Sequence, residues 1–213
     1  MLRELTLDAF VELVDSKEPA PGGGSVSAFV GGIACALARM YGHLSIGKKA
    51  YEAQPADLKE RFQASFGQLQ EIETKLMILV DEDTEIFNRF MEAMRLPKTT
   101  EQQVALRNKA MEIATKEAIE SPLAMIELCF DGMKTLEAMV GYGNANAVSD
   151  IGVAVACFEA AAKGAYLNVI INLKGLQDDE LAYVFERKAK LKLEQVCSMG
   201  FDFYTKVRNL MKE

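Results

Sequence analysis

Two stretches of this chain put polar or flexible residues where a solvated surface would not need them. Pro19-Ala20-Pro21-Gly22-Gly23-Gly24-Ser25 leads straight into an apolar helix. Consecutive glycines let a backbone approach a ligand closely, and a helix start offers unpaired N–H groups to an anion or a polar edge. A tight connector between packed helices would use the same residues. The second stretch is Gly143-Asn144-Ala145-Asn146-Ala147-Val148-Ser149-Asp150, with Asn168 and Asn172 beyond it. On a helix, Asn146, Ser149 and Asp150 share one face by their i, i+3, i+4 spacing. Asn168 falls on the same stripe after five turns, and Asn172 lies one turn further. Small apolar residues fill the interval, which indicates close helix packing. Polar groups there need partners, since an unsatisfied buried group costs about 1–3 kcal/mol. They form either a ligand site or an interhelical network. The two ends of the stripe stand about 27 Å apart on a continuous helix, too far to touch one reacting atom.

Other chemistries are poorly supported. Asp81, Glu82, Asp83 and Glu85 interrupt an apolar run; Asp83, one turn before Phe87, either faces inward or, as is commoner for any single acid here, is solvated. His43 is the sole histidine, and Cys35, Cys129, Cys157 and Cys197 are scattered without metal-ligand spacing, so no metal or redox cofactor is expected. Neither a P-loop nor a dinucleotide fingerprint is present.

The elements that position these residues read as helices throughout. Leu7, Phe10, Val11 and Val14 form a stripe after the N-cap Thr6. Further helices are expected from about Ser25 to Ile46, from Pro55 to about Arg95, and from Thr100 to a restart at Ser121-Pro122. A small-residue helix covers Asn144–Leu173, and the last one runs from Asp178 to about Met211. Forty residues after Pro55 would span roughly 60 Å, which predicts a bend. The expected fold is all-α, a single domain over residues 1–213, built as an antiparallel bundle of six or seven helices. The 213 residues carry 24 Lys and Arg against 31 Asp and Glu, a net charge of −7 that disfavours nucleic acid and anionic membranes as partners. The Gly/Ala-rich segments Val26–Ala38 and Val153–Ala165 leave apolar surface that predicts a dimer. The N-terminal residues do not form a signal peptide, and a cytoplasmic location follows.

PAPGGGSVSA, DEDTEIF, GNANAVSD and AYLNVIINL, in that order across the chain, resemble the formimidoyltetrahydrofolate cyclodeaminase and methenyltetrahydrofolate cyclohydrolase family. The resemblance implies an all-helical homodimer acting on a folate; a formimidoyltransferase portion is not expected in this chain. In the implied reaction one folate nitrogen attacks a formimino carbon on its neighbour and ammonia leaves. The substrate brings its own nucleophile, so the protein needs only to hold it folded, move protons and favour the methenyl cation. Asp150 and Asp83 are the acid–base candidates that this implies. Gly22, Gly23, Gly24, Ser25, Asn146, Ser149, Asn168 and Asn172 would bind the substrate, and Lys48 and Lys49 would meet its glutamate carboxylates. The alternatives are the cyclohydrolase reaction or a non-catalytic helical interaction protein.

Overall fold

The structure, a computed structural model, describes residues 1–212. It contains α1 (Leu7–Val14), α2 (Gly23–Ser45), a single-turn α3 (Lys49–Glu52), α4 (Ala56–Arg95), α5 (Glu101–Thr135), α6 (Val148–Leu173) and α7 (Asp179–Leu210). Among the described residues there is no strand, so the all-α expectation holds.

Helix starts follow local chemistry. The Thr6 hydroxyl accepts from the Ala9 N–H, and Asp178 accepts from Leu181. Thr100 and Gln103 form a reciprocal capping box at the head of α5. Each satisfies a backbone donor that the first turn leaves free. The Pro55 stretch forms one unbroken helix of 40 residues.

One expected boundary is wrong. Ser121-Pro122 does not restart a helix; α5 runs through it. An internal proline removes an N–H and leaves the carbonyl four residues earlier unpaired, a defect of about 3 kcal/mol. Here that carbonyl belongs to Ala118, and the Asn172 amide of α6 donates to it at 2.6 Å. A side chain from the neighbouring helix replaces the missing bond, so the helix continues.

α2 and α6 lie antiparallel at the centre of the bundle. Gly23, at the start of α2, lies against Asn168 near the end of α6. At the opposite end Asn144 donates two bonds into α2: its backbone N–H reaches Ser45 Oγ at 2.8 Å and its side-chain amide reaches the Leu44 carbonyl at 3.3 Å. α4 and α5 cover one side of this pair, and α7 packs on α6 and α5. Tyr41, Phe62, Leu76, Ile126 and Phe158 fill the core between them.

The other side is uncovered. Both α2 and the segment Ala145–Leu173 are long and apolar enough to cross a membrane by length and composition, yet each is only part-buried within the chain. Ile33, Met40 and Leu44 on α2, and Val153, Leu167 and Ile171 on α6, are exposed, Val153 by 52% and Leu167 by 67%. The stripe on α1 is also mostly exposed; Phe10 alone packs inward, 5.4 Å from the Phe29 ring.

Candidate active site

Asp83 projects from α4 against the first turn of α2. The N-cap of α2 is Gly22, which has no side chain to satisfy the free N–H groups behind it. Asp83 does this from another helix: its Oδ2 accepts from the Ser25 N–H at 2.9 Å and from the Ser25 hydroxyl at 3.1 Å. A Cβ on Gly24 would overlap the carboxylate. Glycine is therefore needed there for close approach, not for an unusual backbone angle. Burial pushes the Asp83 carboxyl above the ordinary carboxylate range, while the Ser25 hydroxyl and amide pull it back.

The neighbouring acids are employed differently. Asp81 receives the Leu2 N–H and pairs with the Arg3 guanidinium at 3.1 Å, tying down the N-terminal turn. Glu85 is exposed. Glu82 lines a separate pocket between α4 and α5, and Asp83 is the acid of this group that faces the glycine run.

The cavity beside Asp83 measures about 320 Å³ and is walled by Gly22, Gly23, Gly24, Asp83, Asn168 and Asn172, with Ile86, Phe87 and Phe90 supplying apolar surface. The two stretches singled out in the sequence thus meet at one end of the bundle, the glycine loop with the second half of the polar stripe. Asn168 donates to the Gly164 carbonyl at 2.9 Å. Ser121 also lines the cavity; sequence reasoning missed it because a Ser before a Pro reads as a helix boundary. It is 7% exposed, and its hydroxyl has no protein partner.

A second lobe of about 590 Å³ continues from the first through Phe90, Thr115 and Gly175. Arg107, Lys109 and Lys116 stand on its wall with Glu112 and Asp178. Lys116 is paired with Glu112 at 2.7 Å, and Arg107 donates to the Met94 carbonyl at 3.2 Å. Met94 lies eleven residues past Asp83, about 16 Å along α4. These cations were not anticipated, since lone basic residues on a long helix carry no local pattern.

The remaining candidates lie elsewhere in the chain. Asn146 sits in a 3-10 turn (Ala145–Ala147) before α6, not on the helix face expected for it. Asn146 and Ser149 are exposed and Asp150 is half-buried, so the first half of the polar stripe is not enclosed within the chain. The reason is that α6 begins only at Val148 and no other helix covers that flank. Lys48 and Lys49 are exposed beyond the far end of α2, about 30 Å from Gly24. Asn144 and Gly143 are architectural: the Gly143 N–H donates to Tyr41 Oη at 2.9 Å, and Ser45 holds Asn144. His43 is exposed and stands edge-on to Phe66, 4.8 Å between centroids. Among the described residues no group of His, Cys, Asp or Glu could hold a metal.

Known proteins resemble this chain over most of its length. A methenyltetrahydrofolate cyclohydrolase of Methylorubrum extorquens is 37% identical over 87% of this chain and 86% of its own length. The formimidoyltransferase-cyclodeaminase of Gallus gallus is 36% identical over 82% of this chain, which spans only 31% of that longer protein. The crystal structure of a formiminotetrahydrofolate cyclodeaminase from Thermotoga maritima superposes with a TM-score of 0.78 at 28% identity, covering 100% of this chain and 98% of that one. The model of the formiminotransferase-cyclodeaminase family matches residues 6–191. The chain belongs to that family.

Proposed function

We propose that this protein is a folate one-carbon enzyme that closes formimidoyltetrahydrofolate to methenyltetrahydrofolate with release of ammonia. The observation that carries the reading is Asp83, a carboxyl whose proton affinity is raised by burial, in the wall of an apolar and amide-lined cavity. In the reaction a carbon–nitrogen bond forms as one folate nitrogen adds to the formimino carbon, and the carbon–nitrogen bond to the departing amine breaks. The attacking nitrogen loses one proton and the departing nitrogen gains two, so one proton is taken up overall. A carboxyl whose proton affinity is raised by burial suits that delivery, and its anion suits the methenyl cation that remains. The free N–H groups at the head of α2 and the Asn168 and Asn172 amides would hold the pterin. With the pterin beside Asp83, the Arg107, Lys109 and Lys116 lobe would take the glutamate end of the folate.

The Methylorubrum relative favours a second reading, hydrolysis of methenyltetrahydrofolate to the formyl derivative. There the same carboxylate would take a proton from water as it adds to the cationic carbon. Purified protein offered both substrates decides the matter. Ammonia release from the formimidoyl compound supports the first reading, loss of methenyl absorbance the second, and neither would refute both.

The uncovered α2–α6 face supports a homodimer. Ala156, Ala160 and Gly164 along its middle permit close approach, and Lys163, held by Glu159 at 2.8 Å, is poorly suited to a lipid. A two-fold axis lying in this face and perpendicular to the helices would exchange the two ends of the polar stripe. The Asp83 cavity of one copy would then face the Asn146, Ser149, Asp150, Lys48 and Lys49 end of the other. This gives Asp150 a place in the chemistry that it lacks within one chain. No metal or cofactor is required by this scheme, and four free cysteines fit a cytoplasmic setting.

A further inference from the structure

The cavity wall has an uneven hydrogen-bonding character. Asn168 and Asn172 each spend an amide N–H on a backbone carbonyl, of Gly164 and Ala118 respectively. A carbonyl partner requires the nitrogen, so the orientation of both amides is fixed: each keeps its Oδ1 as an acceptor and one N–H as a donor, beside the backbone N–H groups at the head of α2. Asp83 presents Oδ1, an acceptor when ionised and a donor when protonated, its Oδ2 being engaged by Ser25. The Ser25 hydroxyl is already committed as a donor to that oxygen. Ser121 stands out against these: a hydroxyl with a free proton, 7% exposed, with no protein partner, in the same wall. Buried hydroxyls are normally satisfied, and a helical serine usually finds the carbonyl one turn back. This one does not.

A reduced pterin presents a matching edge. Its aminopyrimidinone ring has several N–H donors and one carbonyl acceptor. We propose that Ser121 is a substrate-binding residue whose hydroxyl, after a χ1 rotation into the cavity, donates to that ring carbonyl while the Asn168 and Asn172 oxygens accept from the ring N–H groups. The assignment deepens the folate reading and rests on it. It also orients the substrate, ring in the Asp83 lobe and glutamate in the Arg107–Lys109–Lys116 lobe.

Ser121→Ala tests this with two readouts that a structural serine would move in the opposite sense. Removing an unpartnered buried hydroxyl should leave the melting temperature unchanged or raise it. Affinity for 5-formyltetrahydrofolate, measured by titration calorimetry, should weaken about three- to tenfold, the worth of one neutral hydrogen bond. Binding of p-aminobenzoylglutamate, which lacks the pterin, should be unchanged. A variant that binds the folate as tightly as the wild type, or that loses p-aminobenzoylglutamate equally, overturns the assignment alone. A drop in melting temperature with unchanged affinity per folded molecule overturns it in favour of a packing role. Wild-type protein that binds no folate overturns both this assignment and the function it rests on.

Discussion

Replacing Asp83 by Asn separates proton handling from architecture, because the carboxylate serves both. Structurally, Oδ2 accepts two bonds from Ser25, at 2.9 and 3.1 Å, and so caps α2. An Asn carbonyl can keep the bond from the Ser25 N–H, so the loss is at most about one neutral hydrogen bond, roughly 1.5 kcal/mol. For a chain of this size 1 kcal/mol moves Tm by about 2–4 °C, so the shift should stay within about 6 °C. Turnover should fall on the order of 10²–10⁴-fold, or about 2.7–5.5 kcal/mol in the barrier, since an amide cannot deliver the proton. The pH dependence of stability adds a second test. The folded-state pKa of Asp83 is raised by burial, so the unfolded chain ionises this group first. Its stabilising contribution is complete below the unfolded value of about 4 and is lost as pH rises through the folded one. The variant lacks this term, so its Tm deficit relative to wild type should be largest near pH 4 and shrink as pH rises. Turnover within tenfold of wild type, together with a Tm loss above about 10 °C at every pH, would refute the catalytic assignment and leave Asp83 as a cap.

Asp150→Asn should lower turnover on the order of 10²-fold or more while leaving Tm within a few degrees, measured on one preparation; normal turnover would remove Asp150 from the chemistry. Asn172→Ala should cost about 1–3 kcal/mol in denaturant unfolding, because it strands the Ala118 carbonyl beside Pro122. Val153→Asp, on the uncovered face, should convert a dimer to a monomer by light scattering and abolish turnover with it; a wild-type monomer at micromolar concentration would refute the composite site. Exhaustive treatment with a chelator should leave turnover unchanged, and restoration by an added divalent ion after a loss would contradict the metal-free scheme.

Most of the fold was legible because its signals are local. Thr6, Thr100 and Asp178 cap the helices they were expected to cap, and the periodicity after Pro55 continued to Arg95. Pro122 misled because the group that rescues it, Asn172, lies fifty residues away and on another helix. The site was half legible. The glycine run and Asn168 could be expected to meet a ligand, but nothing in the spacing of one helix tells which end of a stripe another helix covers. Arg107, Lys109 and Ser121 were invisible for a related reason: their significance comes from the cavity beside them, not from their neighbours in the chain.

The bond between Asn172 and the Ala118 carbonyl also constrains the order in which such a helix can change over evolution. A carbonyl has two lone pairs, so an asparagine arriving first at position 172 can share it with the ordinary helical N–H at little cost. A proline arriving first at position 122 would strand the carbonyl and face the whole defect alone. The passable route therefore runs through Asn172 before Pro122, and the return route discards Pro122 before Asn172. Relatives with the asparagine and no proline should be found on both routes, whereas those with the proline and no asparagine should be scarce unless another donor reaches the same carbonyl. Ancestral reconstruction along this family can read that asymmetry directly, as a fixed order of substitution written into a single cross-helix bond.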